Sequence, residues 1–475
     1  MLYLFIIVPL FILMFLNLPF RGLKRAAFWL AAALCLFQMF LVLFPDSFFW
    51  KLDFAWLDHL FKFDLAIDGL GEIMLFCIGL VVFISVFMGR YINADADEKL
   101  NFFSLLLIAL AGLNGIVLVK DVFSLYVFIE ITSVSSFMLI SFYKRREALE
   151  ATFKYLILSA IATILMLASI SLIILISGGT SFSLMHEAIR NSPHDFLGIF
   201  AIGMFLSGLF IKAGLVPFHG WLVDAYSSAP SAVSVFLAGI ATKAMGIYTL
   251  MRVTSAIFGF SIPIGNVLML IGAVSIIIGA LDALAQNDFK RMLAYSSISQ
   301  MGYIVLGFGC GTALGVAGAV FHLFNHTIFK SLLFVNSAAL KIQTGTSRMD
   351  KLGGLARKMP LTAVSSLLAG LSTAGIPPLP GFWSKLIIII ALWGSGHYAY
   401  AVIAVLASLI TLAYIISMQR RVFFGEPAGE MENVKEASPG VILPTLLLTL
   451  IVIVSGLFFP FILENFALPA GMIIK

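Results

Sequence analysis

Residues 361–395 read "LTAVSSLLAGLSTAGIPPLPGFWSKLIIIIALWGS", an apolar run of 35 residues. As one straight helix it would be roughly 52 Å long at 1.5 Å per residue, whereas about 30 Å of hydrocarbon is all a bilayer offers. In its middle stands "AGIPPLPGFW" (374–383), whose prolines lack the N–H a helix needs. The spacing therefore predicts a membrane helix broken in mid-course. A second stretch, "AGLVPFHGW" (213–221), also opens on Ala-Gly and closes on Trp around a proline, about 160 residues earlier, so the two look like equivalent points of a repeat.

Composition sets the frame for these breaks. Of 475 residues, 61% are apolar and 11% charged, against about 45–50% and about 25% in globular chains. This excludes a soluble protein and predicts an all-α polytopic membrane protein. Runs of about 20 apolar residues occur at 2–20, 26–44, 69–89, 101–119, 122–142, 153–177, 196–222, 231–251, 262–285, 291–310, 313–340, 361–395, 397–418 and 440–464. The first lacks the basic start of a secretory signal and is expected to remain as a span. The breaks fall in the seventh and twelfth runs. Five spans apart is an odd number, so the second copy is expected to cross the membrane upside down. The expected organisation is three N-terminal helices and an interfacial loop over 1–100, a first five-helix repeat over 101–252, an inverted second over 262–425 and a last helix over 437–466.

Charge placement gives orientation. Eighteen Lys and Arg residues fall in loops sharing one side, among them Arg90, Lys144, Lys290 and Arg421, and six, including Lys120 and Arg252, on the other. The basic-rich side is cytoplasmic by the positive-inside rule, which puts both termini outside, in a prokaryotic inner membrane. The net charge of +5 implies no nucleic-acid partner, because the basic residues are scattered through these loops. The loop "PDSFFWKLDFAWLDHLFKFD" (45–64) is expected to lie at the interface as a hairpin or short amphipathic helix. Cys35, Cys77 and Cys310 stand singly in separate runs, without the spacing of a zinc or iron–sulfur site, so no redox centre is expected in this chain.

The informative residues are those charged inside spans. Glu130 lies nine residues after Asp121, roughly 13 Å deep, where a carboxylate costs several kcal/mol unless paired. Lys243 is equally deep in "FLAGIATKAMGIYTLMR" (236–252). Lys212 just precedes the first break and Lys385 just follows the second. In "FHLFNHTIFK" (321–330), His322, His326 and Lys330 stand at i, i+4 and i+8, one helical face about 12 Å long. Single members have plain structural readings: Lys154 or Lys330 could snorkel to an interface, His219 could cap exposed carbonyls at the break or relay a proton, and a Glu–Lys pair could be a rivet between helices. A rivet needs only two partners, and these groups occupy five spans, so a connected polar axis explains the set better. Prolines alone could merely kink two packed helices, but inverted repeats with interrupted helices are a mark of transporters. Glu72 and Asp282 lie nearer span ends and are left outside the axis.

Four motifs now carry a resemblance. "KAGLVPFHGWLVDAYSSAPSAVSVFLAGIATKAMGIYTLMR" (212–252), "DFKRMLAYSSISQMGYIVLG" (288–307), "HLFNHTIFKSLLF" (322–334) and "GIPPLPGFWSK" (375–385) resemble the antiporter-like proton-channel subunits of respiratory complex I. Mrp-type Na⁺/H⁺ antiporter subunits and membrane-bound energy-converting hydrogenase subunits share the family. The resemblance spans about residues 65 to 425 and implies fourteen helices with two inverted five-helix repeats. It implies a Glu130–Lys212 pair, a second lysine at Lys243, the pathway positions His322, His326 and Lys330, and Lys385 as the terminal group. Lys385 stands where the most similar complex I subunit usually has glutamate, which tilts the resemblance toward hydrogenase- and Mrp-type relatives. The implied partners are other integral membrane subunits, related antiporter-like subunits among them, and peripheral redox subunits. Iron–sulfur, flavin or nickel–iron centres would lie in those partners and no cofactor in this chain.

Overall fold

The computed structural model describes residues 2–18, 23–45, 63–191, 196–426 and 434–472. Among the described residues the regular structure is helical, with isolated bridges such as Leu65–Val119 and Asp288–Arg348 between connecting segments. Among the described residues eleven helices are long and apolar enough to cross a membrane. Leu4–Leu16, Pro360–Ala374 and Pro380–Gly394 are shorter apolar helices, and Phe289–Gly309 is a further helix with several serines in its length. This is the all-α membrane architecture that composition predicts. Residues 46–62 of the expected interfacial loop lie outside the described residues.

Short polar residues start several of the helices. Asp68, Asp121 and Asp288 each accept a backbone N–H three residues on, from Gly71, Ser124 and Arg291, at 2.7–2.9 Å. Asp95 and Glu98 form a reciprocal capping box at Ala96–Leu118. Each cap satisfies a donor that a helix start leaves open, for about 0.5–2 kcal/mol.

Both predicted breaks are present. One helix ends at Ala213 and the chain resumes helix at Gly220–Ser228; Pro360–Ala374 likewise gives way to Pro380–Gly394. Each break begins on a left-handed glycine, Gly214 at φ 63° and Gly375 at φ 87°, and each contains a cis X-Pro bond, Val216–Pro217 and Pro377–Pro378. A side chain at either glycine would be strained by the positive φ.

The chain divides into two compact units, one comprising residues up to Ala213 with Ile240–Phe260, the other Gly214–Gly239 with Ser261 onward. In the first unit, buried Gln38 and Asn114 exchange amide hydrogen bonds at 3.0 and 2.8 Å and donate to the Leu75 and Phe5 carbonyls. That fully satisfied network ties four helices. Here the structure also corrects the loop assignment of Arg252. Helix continues past it to Phe258, in part with π-type turns, and its buried guanidinium holds Asp68 through two bonds of 2.6 and 2.7 Å and also contacts the Tyr248 hydroxyl. In the second unit Lys290, expected in a loop, is buried and donates to the Ala229 carbonyl at 2.6 Å. In both cases the helix extends beyond the apolar run, because the polar head finds an internal partner.

Burial alone would raise the Asp68 carboxyl, but hydrogen bonds and charge from Arg252, with the Gly71 N–H, outweigh it and hold it at about 2. Against about 3.9 in an unfolded chain, the pair's contribution is complete above about pH 4 and is lost as pH falls through about 2. Asp68→Asn keeps a good cap while leaving Arg252 buried without its counter-charge. At neutral pH this is expected to cost roughly 3 kcal/mol and lower the thermal unfolding midpoint in detergent. An unchanged midpoint contradicts a stabilising pair.

Candidate functional site

In the first unit, Lys212 is the last but one residue of Phe196–Ala213 and its side chain is fully buried. All three of its N–H donors are matched: Nζ donates to Glu130 Oε1 at 2.9 Å, Ser133 Oγ at 2.9 Å and Ser159 Oγ at 2.7 Å. Glu130 sits mid-way along Val122–Ile140 and also accepts from Thr163 Oγ1 at 2.7 Å. Unlike the lysine, its side chain remains 28% exposed. The pair the sequence placed together is therefore an asymmetric one, with a buried cation and a carboxylate that reaches the surface of the unit.

Lys243 is also fully buried. It begins a π-helical stretch, Lys243–Tyr248, a rare geometry enriched at functional sites. One turn on, Gly246 lets this helix approach the lysine helix closely: a Cβ there would lie 2.6 Å from the Ala213 backbone nitrogen. The glycine thus brings the Lys243 helix against the residue that follows Lys212.

The second unit holds the other set. His322, His326 and Lys330 are all fully buried on Ala313–Thr344, and the two imidazoles lie parallel with centroids 6.3 Å apart. The one-face ladder is as the spacing predicts. His322 Nδ1 hydrogen-bonds Ser384 Oγ at 2.9 Å. Lys330 Nζ donates to Ser296 Oγ at 2.7 Å, and that oxygen meets Tyr414 Oη at 2.6 Å. Lys385, next to Ser384, reaches back over the break to donate to the Thr373 carbonyl at 2.8 Å, and its ammonium lies 4.4 Å from the Tyr303 ring centroid. A carbonyl and a ring face stabilise a cation, but neither is a full counter-charge, so Lys385 differs in kind from Lys212.

His219 precedes Gly220–Ser228 without a side-chain capping bond. Its backbone is already helical, φ −82° and ψ −15°, whereas a capping residue needs extended backbone to aim its side chain at the first amides. The imidazole is therefore not the N-cap of Gly220–Ser228. Its Nδ1 is buried with no hydrogen-bond partner among the described residues, and the ring faces Tyr295 at 6.4 Å. Lys154 is half-exposed and pairs with Glu150 at 2.8 Å one turn away, which fits the snorkelling reading. Among the described residues no group of three or more His, Cys, Asp and Glu could hold a metal ion.

Sequence reasoning names the glutamate, lysines and histidines of this arrangement and misses the hydroxyls Ser133, Ser159, Thr163, Ser296 and Ser384 and the rings of Tyr303 and Tyr414. One signal was available. Ser133 stands three residues after Glu130, on the same helical face, and Ser384 adjoins Lys385. The remaining partners come from other helices and have no local signature.

Comparison with known proteins identifies the family. The family described as NADH:quinone oxidoreductase/Mrp antiporter, transmembrane, matches residues 119–411. The chain is 32% identical to NADH-quinone oxidoreductase subunit N of Desulforudis audaxviator over 98% of each chain. It is 32% identical to a Na(+)/H(+) antiporter subunit of Alkalihalophilus pseudofirmus over 82% of this chain and 80% of that one. A chain of the Mrp complex from a Dietzia species shares its fold, with a TM-score of 0.89 at 24% identity, covering 100% of this chain and 97% of the other. With a match over more than half its length and such identity over nearly all of it, the chain belongs to the NADH:quinone oxidoreductase/Mrp antiporter transmembrane family.

Proposed function

We propose that this chain is the ion-translocating antiporter-like subunit of a multi-subunit, redox-driven membrane complex of complex I or energy-converting hydrogenase type, with the proton as the carried ion. The observation that carries the reading is a buried lysine beside each of two helix breaks, Lys212 before the first and Lys385 after the second. Burying an ammonium in a membrane is costly and is tolerated where function requires it. Identity to an NADH-quinone oxidoreductase subunit over nearly the whole of both chains supports the redox assembly. In this reading the two breaks mark inverted five-helix repeats within fourteen spans, the membrane is a prokaryotic inner membrane, and both termini face outward. Flavin, iron–sulfur or nickel–iron centres belong to partner subunits.

The chemistry follows from the contacts. Glu130 stabilises the charged form of Lys212, while Ser133 and Ser159 give it neutral acceptors to fall back on. Weakening the 2.9 Å ion pair, by moving or neutralising Glu130, favours release of the proton. In functional order Lys243 takes it next, the His322, His326 and Lys330 column carries it, and Lys385 delivers it outward. Bridging water completes the gaps between side chains. His219, with a buried unpartnered nitrogen, serves as a relay.

A second reading, membership of a Mrp-type Na⁺/H⁺ antiporter driven by ion gradients, is favoured by the identity to the Alkalihalophilus antiporter chain. Purification of the tagged chain in its native assembly, followed by reconstitution into proteoliposomes, separates the two. Ion movement on addition of an electron donor, with redox subunits attached, is the expected result. Exchange driven by an imposed ion gradient alone, without redox subunits, supports the antiporter instead.

A further inference from the structure

The break before Lys385 is held from two sides. On the inside, Asn325 Nδ2 donates to the Pro380 carbonyl at 3.1 Å and Ser384 Oγ to the same carbonyl at 3.2 Å. On the outside it meets the C-terminal segment. Gly456, near the end of Pro439–Leu457, lies so close to the unwound chain that a Cβ there would be 2.6 Å from the Pro378 carbonyl oxygen and 3.0 Å from Leu379 Cα. Three residues on, Phe459 stacks face to face on Trp383, with centroids 3.9 Å apart and planes 6° from parallel. Trp383 in turn donates Nε1–H to the Pro378 carbonyl at 3.3 Å, and it stands two residues before Lys385.

The contact continues along the histidine helix. Phe321, next to His322, packs in one apolar cluster with Ile387 and Ala467, and with Trp383, Phe459 and Leu463 against it. Beside these contacts the break borders an apolar groove of about 360 Å³, lined by Leu371, Ile376, Pro377, Pro378, Ile453 and Leu457. The unwound backbone is thus less closely packed on the groove side than where it meets Gly456 and Phe459.

We propose that the C-terminal segment is a positioning clamp for Lys385. Gly456 and Phe459, with Trp383, fix the broken helix so that the ammonium stays over Tyr303 and on the Thr373 carbonyl. A segment that touches neither lysine nor ion thereby sets the transfer geometry of the second unit. The inference rests on the translocation reading above. Reactions that depend on close positioning are sensitive to displacements of about 1 Å, so loss of the stack is expected to act on transport before it acts on folding.

The test uses the whole complex in proteoliposomes, with assembly checked by subunit composition. Phe459→Ala is expected to lower the transport rate on the order of tenfold and displace its pH profile, while Phe459→Trp, which restores a stacking face, recovers both. Gly456→Leu, which pushes on the Pro378 carbonyl, is expected to reproduce the alanine effect from the opposite direction. Wild-type rate and pH profile in both Phe459→Ala and Gly456→Leu overturn the clamp, as does equal loss in Phe459→Trp and Phe459→Ala. Lys385→Met serves as the control. If it leaves transport intact, the translocation reading has failed; if it abolishes transport and the clamp variants behave as wild type, only the clamp has.

Discussion

Lys212→Met is expected to abolish ion transport, at least tenfold below wild type, while the complex still assembles. The methionine fills the same buried space, and the carboxylate left behind is 28% exposed and keeps its bond from Thr163. Little stability should therefore be lost. Glu130→Gln should impair transport as strongly but cost more stability, about 3 kcal/mol, because it leaves a fully buried ammonium with neutral acceptors alone and no counter-charge. Transport assays paired with thermal unfolding in detergent check both halves. Equal stability losses would contradict the asymmetry of the pair, and retained transport in both variants would contradict its role.

Lys385→Met should separate function from stability still more sharply. Its partners among the described residues are the Thr373 carbonyl and the Tyr303 ring. Replacing a buried charge that lacks a full counter-charge by an apolar side chain of similar length is often neutral or stabilising. Transport is expected to fall at least tenfold with an unfolding midpoint equal to or above that of wild type. A lowered midpoint with normal transport would mark Lys385 as a structural group.

Much of this was legible in the sequence, for physical reasons that can be named. A proline inside a long apolar run has few outcomes other than a break, and both breaks are where "AGLVPFHGW" and "AGIPPLPGFW" put them. A lysine buried in a span needs an anionic partner, and Lys212 meets Glu130, the pair that the resemblance implies. Four-residue spacing places His322, His326 and Lys330 on one face because all three share a single helix.

The misses share a different cause. In the sequence Arg252 and Lys290 look like loop residues because a charge ends an apolar run, yet an internal partner lets the helix bury it, and Asp68 lies 184 residues away from Arg252. The π-helical turns around Lys243 have no residue signature. Serines in membrane helices mostly bond their own backbone, as Ser135 and Ser331 do here, so residue type alone does not tell Ser159 and Ser296 apart from them. The contact of Gly456 and Phe459 with the second break depends on tertiary approach alone.

The central claim, that these buried lysines carry the ion as protons, is tested most directly by Lys212→Arg. An arginine keeps the positive charge and can still pair with Glu130, but a guanidinium does not release its proton. Ions moved per electron transferred, measured in proteoliposomes of the assembled complex, should fall to background in this variant. A wild-type ratio with arginine at position 212 would contradict the account.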